Sequence, residues 1–289
     1  MRIGVVADVQ AATHMPDTQV EGRTLYFDSA PQRLRQAVAT WSSHPDVHSV
    51  IQLGDIIDGS PDKKSAKADL MLLASIFDEL PCPVHHVIGN HCLKSITRTE
   101  LHRALRLPSD YYRVELGQNW RLVVLDTTEL SPPEHGGFSR FTSKGKEADA
   151  YYRAHQGEPR MQRWNGGACK SQIQWLRDEL ASAEADGCRV IVASHHALAA
   201  GSARETHRSW TGDELASVCV ASPAFVLALS GHDHLGGFVE LEGKPFVTVE
   251  GLVESDNATN AFGWLSIYDD WIEIDGCGTA VTPRQFSLR

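Results

Sequence analysis

Five short apolar runs in this chain each stop at residues able to bind a metal or a phosphate, and no other feature constrains the fold as much. They are GVVADVQ (4–10), QLGDIIDG (52–59), HVIGNH (86–91), VIVASHH (190–196) and VLALSGHDH (226–234). Unbroken Val, Ile and Leu mark strands covered on both faces. A carboxylate, amide or imidazole then closes each run at its carboxyl edge, where open α/β sheets bind ligands. Alternation along the first run puts Asp8 and Gln10 on one side. Asp55 alone would be an ordinary helix cap or turn residue, and its weight comes from the other four runs.

Helical patterns separate the first three runs. Ser29 and Pro31 open a helix carrying Leu34, Val38 and Trp41, and Lys67 to Leu80 reads as a second with Leu70, Leu73, Ala74 and Phe77 on one face. Strand, helix, strand, helix, strand implies right-handed crossovers and a largely parallel sheet with helices packed on it. Tyr111 to Leu116 and Arg121 to Leu125 read as a hairpin around Gly117 to Asn119. Residues 127–168 show no periodicity and are too long for a connection, which points to a functional loop or lid. Ser171 with Gln174, and Thr211 with Glu214, read as capping boxes of two later helices, the first ended by Gly187. From Gly237 onward, Phe238 to Leu241, Phe246 to Val249, Gly263 to Tyr268 and Trp271 to Ile274 read as one antiparallel carboxyl-terminal sheet.

Composition excludes some functions. A net charge of −10 disfavours a polyanionic partner such as DNA or RNA. The six cysteines are scattered without a C-x-x-C pair, as expected of free thiols in a reducing compartment. No apolar run approaches the ~20 residues of a membrane span, and a strand beginning at Arg2 leaves no room for a signal peptide. The expectation is a soluble cytoplasmic protein.

The strand ends together supply Asp8, Gln10, Asp55, Asn90, His91, His195, His232 and His234. Carboxylate, amide oxygen and imidazole hold divalent first-row ions, and there are too many donors here for one tetrahedral ion. Two metals are implied, with a hydroxide between them as nucleophile on a phosphoryl group, and Asp55 is the natural bridging acid. Two divalent ions less Asp8, Asp55 and the hydroxide leave a surplus of about +1 to attract a phosphate oxyanion.

In these motifs the sequence resembles the calcineurin-like metallophosphoesterases, whose D-x-H, GD-x-x-D, GNH, lone His and GH-x-H appear here in order as DVQ, GDIID, GNH, SHH and GHDH. The resemblance implies a single domain over 1–289 with the α-β-β-α fold, a four-layer sandwich of two mixed sheets flanked by helices, and an irregular insertion at about 127–168. It assigns Asp8, Gln10, Asp55 and His234 to one ion, and Asp55, Asn90, His195 and His232 to the other. His91 becomes the non-ligand histidine that assists the leaving group, and Asp58 braces its loop. His196 competes with His195, and the family pattern favours His195.

Gln10 stands where most of the superfamily has histidine. An amide oxygen is harder than imidazole and biases its site from zinc toward Mn²⁺, with Mg²⁺ or Fe as alternatives. The same D-x-Q is found in the manganese-dependent ADP-ribose/CDP-alcohol diphosphatases. GDIIDG, the NGG of Asn165 to Gly167 with Gln172, Trp175 and Leu176, HDHLGGF, EGLVES and AFG also look like that branch.

This similarity implies hydrolysis of the diphosphate bond of a small nucleotide-like substrate. Phe138 would stack on a base, Arg140 would meet a phosphate, and Asn165 is a third candidate substrate contact; a solvated basic loop is the plainer alternative. Two other functions remain open on the sequence: a phosphodiesterase for cyclic nucleotides or glycerophosphodiesters, and an inactive scaffold of the same fold. A scaffold would be free to lose donors, yet a residue able to coordinate stands at every position.

Overall fold

The computed structural model of the chain describes residues 1–20, 22–60, 62–254, 260–277 and 284–288. Its amino-terminal part runs β1 (Arg2–Val6), a small ribbon of β2 (Thr18–Val20) and β3 (Arg23–Leu25), α1 (Ala30–Ser42), β4 (Val47–Gln52), α2 (Lys63–Phe77), β5 (Val84–His86) and α3 (Arg98–Leu105). α2 starts one turn before its apolar face, because the Asp62 carboxylate accepts from the Lys64 and Ser65 amides and caps the helix there. Next come β6 (Tyr112–Gly117), β7 (Trp120–Val124), α4 (Ser143–Ala154), α5 (Lys170–Ala185), β8 (Arg189–Ala193), α6 (Gly212–Val220) and β9 (Phe225–Ser230). The chain closes with β10 (Gly237–Leu241), β11 (Lys244–Thr248), β12 (Phe262–Ile267), β13 (Trp271–Cys277) and β14 (Arg284–Ser287).

Two six-stranded mixed sheets result, ordered β14-β13-β12-β1-β4-β5 and β10-β11-β9-β8-β7-β6. β1, β4 and β5 are parallel neighbours, as are β7, β8, β9 and β11. Alternation sorts side chains between layers. Leu122 and Val124 of β7 face the core shared with β1, β4, α1 and α2, whereas Val123 faces Ile173, Leu176 and Leu180 of α5. The architecture is a four-layer α-β-β-α sandwich.

Several local expectations are corrected. The carboxyl-terminal strands form no sheet of their own: β10 and β11 extend the second sheet, and β12 pairs antiparallel with β1 at the other. Neither capping box forms. Cys169 occupies the cap position of α5 without a side-chain capping bond and places Ser171 inside the helix, while the Thr211 hydroxyl accepts from the Ala168 amide instead. Gly187 does end α5, in a left-handed turn where the Cys188 amide reaches the Ala183 carbonyl at 2.8 Å. Residues 127–168 are not irregular throughout, since α4 lies within them, capped by Thr142. Among the described residues no helix is long and apolar enough to cross a membrane. Cys82, Cys92, Cys169, Cys188 and Cys219 are free thiols.

Candidate metal centre

The candidate residues converge where the carboxyl ends of the two sheets meet. β1 and β4 lie side by side, so their following loops are neighbours, stitched by the Gln10 amide to the Asp55 carbonyl at 2.9 Å and the Asp8 amide to the Gly54 carbonyl at 3.2 Å. Strand alternation does not orient Asp8 and Gln10, because both lie past the end of β1. Instead Asp8, Gln10, Asp55 and His232 adopt left-handed backbone conformations, with φ of 49°, 45°, 49° and 68°. Such backbone costs on the order of 1–3 kcal/mol per residue and persists where surrounding structure imposes it.

The glycines before Asp55 and Asn90 are set by close approach. A Cβ on Gly54, whose φ is 99°, would lie 2.3 Å from His195 Nδ1. One on Gly89 would lie 2.2 Å from both the amide and Oδ1 of Asp55. The loops therefore interlock through each other's candidate ligands.

Three imidazoles and two carboxylates line the centre. His195 Nδ1 donates to the Leu53 carbonyl at 2.9 Å, which fixes the tautomer. Its Nε2 then stands 3.0 Å from Asn90 Oδ1 and 3.1 Å from Asp55 Oδ2. The His232 amide donates to Asp8 Oδ2 at 2.8 Å, and the His91 amide to Asp55 Oδ1 at 2.7 Å. His234 Nε2 lies 3.5 Å from Asp8 Oδ1 and 3.1 Å from the side-chain Nε2 of Gln10, and its Nδ1 is 2.8 Å from Glu254 Oε1.

What the carboxylates lack is informative. Asp8 and Asp55 are fully buried, yet Asp8 Oδ1 and Asp55 Oδ2 meet no donor in good hydrogen-bond geometry, each facing only an imidazole Nε2. An anionic oxygen left this way is costly unless a cation satisfies it. Burial opposes charge on His195, but Asp55 beside it raises its pKa to about 9; likewise Asp8 and Glu254 overcome burial at His234 and raise it to about 10. His232 and His196 stay neutral, pushed well down by burial and neighbouring imidazoles. The donor set thus draws positive charge to both carboxylates and fits divalent cations. Within it, Asp8, Asp55 and His195 present donor atoms within 4.8 Å of one another, as do His195, His196 and His232. His196 is occupied elsewhere: Nδ1 is 2.8 Å from Thr127 Oγ1, and Nε2 is 3.4 Å from the Trp164 carbonyl.

A cleft of about 220 Å³ opens onto this cluster. Gln10, His91, His232, His234 and Glu254 line it, and Trp164, Arg204 and His207 complete the wall. His91 is half-buried there, with Nδ1 2.7 Å from Asp58 Oδ1.

The three candidate substrate contacts are not brought together. Asn165 is buried, with Oδ1 2.8 Å from His232 Nε2 and its amide bonded to the Arg160 and Thr206 carbonyls, so it braces a histidine. Phe138 and Arg140 line a different cavity of about 260 Å³ with Tyr152, Arg163 and Trp210. The Arg98 and Lys144 cations lie 4.8 and 4.7 Å from the centre of the Phe138 ring. Several bases of this segment are paired, Lys144 to Glu129, Arg160 to Asp213 and Arg163 to Glu134. Trp164 is the segment's residue that reaches the cleft, 40% exposed and held by Nε1 to the Thr206 carbonyl.

Sequence reasoning missed the braces: Glu254 on His234, Asn165 on His232, and Arg204 paired with the buried Asp233 at 2.8 Å. EGLVES contained Glu254 without revealing its partner, and Ser255 of that motif lies outside the described residues.

A family model for calcineurin-like phosphoesterase matches residues 1–236. A manganese-dependent ADP-ribose/CDP-alcohol diphosphatase of Arabidopsis thaliana is 32% identical, covering 94% of this chain and 93% of its own. The Homo sapiens protein of that name is 28% identical over 95% of this chain and 89% of its own. Among solved structures, a dimetal phosphatase from Danio rerio superposes with a TM-score of 0.91 at 26% identity, covering 100% of this chain and 99% of that one.

Proposed function

Because this chain belongs to the calcineurin-like phosphoesterase family, and so is a metal-dependent phosphohydrolase, we propose that it cleaves the diphosphate bond of nucleoside-diphosphate-linked compounds. ADP-ribose or CDP-alcohol types would give a nucleoside monophosphate and a phosphorylated sugar or alcohol. Similarity to proteins named for that activity, through 94% of the chain, carries the reading. The free thiols support a cytoplasmic setting.

On this reading Asp8, Gln10, Asp55 and His234 hold one Mn²⁺, and Asp55, Asn90, His195 and His232 the other. Rotation of the Gln10 amide exchanges nitrogen for the oxygen donor a hard ion prefers. When bound, the ions supply positive charge for the phosphate oxyanion and bring the pKa of water into the working range. The Leu53 carbonyl, Glu254 and Asn165 hold the three imidazoles in place, and such braces are typically worth about 10–100-fold in metal affinity. Asp58 aims His91, which gives a hydrogen bond or proton to the leaving oxygen. Trp164 offers a ring on which a base can stack.

Metal binding is expected to depend on pH. His195 and His234, with pKa values of about 9 and about 10 before metal arrives, carry protons at neutral pH that an ion must displace. Proton competition is strongest at low pH, so affinity for Mn²⁺ should strengthen as pH rises from 6.5 to 8.5. Titration calorimetry in buffers of different ionisation enthalpy checks this by the protons released. A dissociation constant flat across that window would mean the two imidazoles are already neutral.

The test of function is parallel assay of ADP-ribose, CDP-choline and cyclic AMP with Mn²⁺, Mg²⁺ and Zn²⁺. Mn²⁺ with the two diphosphates should be the most active combination. Cyclic AMP as the preferred substrate would replace the reading with a phosphodiesterase, and Zn²⁺ as the best activator would overturn the role given to Gln10.

A further inference from the structure

Breaking a diphosphate bond sends its electron pair to the leaving oxygen, so the second phosphate departs as a monoester with one more negative charge than it had. His91 can serve the leaving oxygen itself. The other oxygens of that phosphate, already anionic, need a cation beside His91, and the structure has one.

Lys94 ends a short 3₁₀ turn, Cys92–Lys94, that starts directly after His91. Its ammonium lies 2.8 Å from His91 Nδ1 and 3.3 Å from Nε2, and the side chain is exposed. That contact does not neutralise it. His91 Nδ1 is committed to Asp58, 2.7 Å from Oδ1 and 3.0 Å from the Asp58 carbonyl. Among the described residues no carboxylate oxygen lies within 4 Å of the Lys94 ammonium, whereas Arg204, which lines the cleft, is paired with Asp233, and Arg23 with Glu254. An ammonium has three donors and here no counter-ion, in a chain of net charge −10. It is a fixed positive charge at the leaving-group histidine.

We propose that Lys94 is a specificity-determining residue that binds the leaving phosphate of a diphosphate substrate and tilts the site toward diphosphates over simple phosphodiesters. This inference rests on the diphosphatase reading above. An alkoxide leaves neutral once protonated and gives Lys94 no anion to hold, whereas a departing phosphate monoester remains anionic whether or not His91 protonates it. Charge-assisted contacts of this kind respond to the charge and less to the residue's shape, so arginine should substitute in part.

The test compares Mn²⁺-loaded wild type, Lys94→Met and Lys94→Arg. The readouts are kcat/KM for CDP-choline and for cyclic AMP, a phosphodiester with an alkoxide leaving group, inhibition constants for CMP and phosphocholine, and bound manganese. Lys94→Met should lose roughly tenfold to a hundredfold on CDP-choline and markedly less on the phosphodiester. It should also weaken inhibition by one of the two products while keeping its manganese, and Lys94→Arg should recover much of the loss. Equal losses on both substrates, or unchanged inhibition by both products, overturn the role of Lys94 and leave the diphosphatase reading standing. A wild type inactive on every nucleoside diphosphate compound overturns that reading, and this inference with it.

Discussion

Asp55→Asn is expected to lower kcat/KM for a diphosphate substrate by at least about 10³-fold and to remove both manganese ions together. The asparagine keeps the shape of the side chain and tolerates the left-handed backbone at this position, where φ is 49°. It can still accept the His91 amide at the position of Oδ1, now 2.7 Å away. What it loses is the anionic Oδ2, 3.1 Å from His195 Nε2 and without a donor in good hydrogen-bond geometry. Burial alone would push this carboxyl up, but His195 and His91 hold it well below the usual carboxylate range, so the wild-type group is charged at any working pH. Metal analysis after gel filtration, with kcat/KM and a circular dichroism spectrum on the same sample, reads the effect. A folded variant that kept one ion at full affinity would show that Asp55 serves one ion and is no bridge.

The second large effect is at His91. His91→Ala should cost about 10²–10⁴-fold on phosphodiesters with alkoxide leaving groups, the range general acid catalysis usually supplies. On diphosphates the loss should be smaller, because a phosphate monoester is a far better leaving group than an unprotonated alkoxide. The geometry suits the role: His91 lines the cleft, and Asp58 takes Nδ1 at 2.7 Å, so Nε2, 3.3 Å from the Lys94 ammonium, is the ring nitrogen that can serve the substrate. Steady-state kinetics on one substrate of each class measures the split. Losses of equal size would remove His91 as a proton donor. The Lys94 variant should show the opposite preference, so the two side chains can be told apart by substrate alone.

The parts legible in the sequence were those written locally. A parallel strand buried on both faces must be apolar without a break, and a metal ligand must not be, so each boundary between the two marks a strand end and a candidate donor at once. That is why Asp55, Asn90, His195 and His232 could be placed without coordinates. The left-handed backbone of Asp8 and Gln10 could not, since neither is a glycine. α4 was invisible because it has little apolar periodicity of its own: Ala148 and the flanking Leu130 and Met161 pack on Trp210, and Lys144 pairs with Glu129. Ser171 and Thr211 satisfied the pattern of a capping box, but the Thr211 hydroxyl was taken by Ala168, 43 residues away. Assignment of β10 to β14 to two sheets is likewise a long-range choice that alternation cannot express. The braces of the metal centre are hardest of all, because Asn165 meets His232 across 67 positions and Glu254 meets His234 across 20.

The two sheets contribute differently to the centre. Asp8, Gln10, Asp55 and Asn90 follow strands of one sheet, and His195, His232 and His234 follow strands of the other. On the proposed assignment each ion takes donors from both, so an ion is also a rivet through the seam between two layers that elsewhere meet through side-chain packing. Stripping the metal should then do more than switch off chemistry: it removes binding free energy that only the folded chain collects, so manganese supply becomes a determinant of how long the folded chain survives.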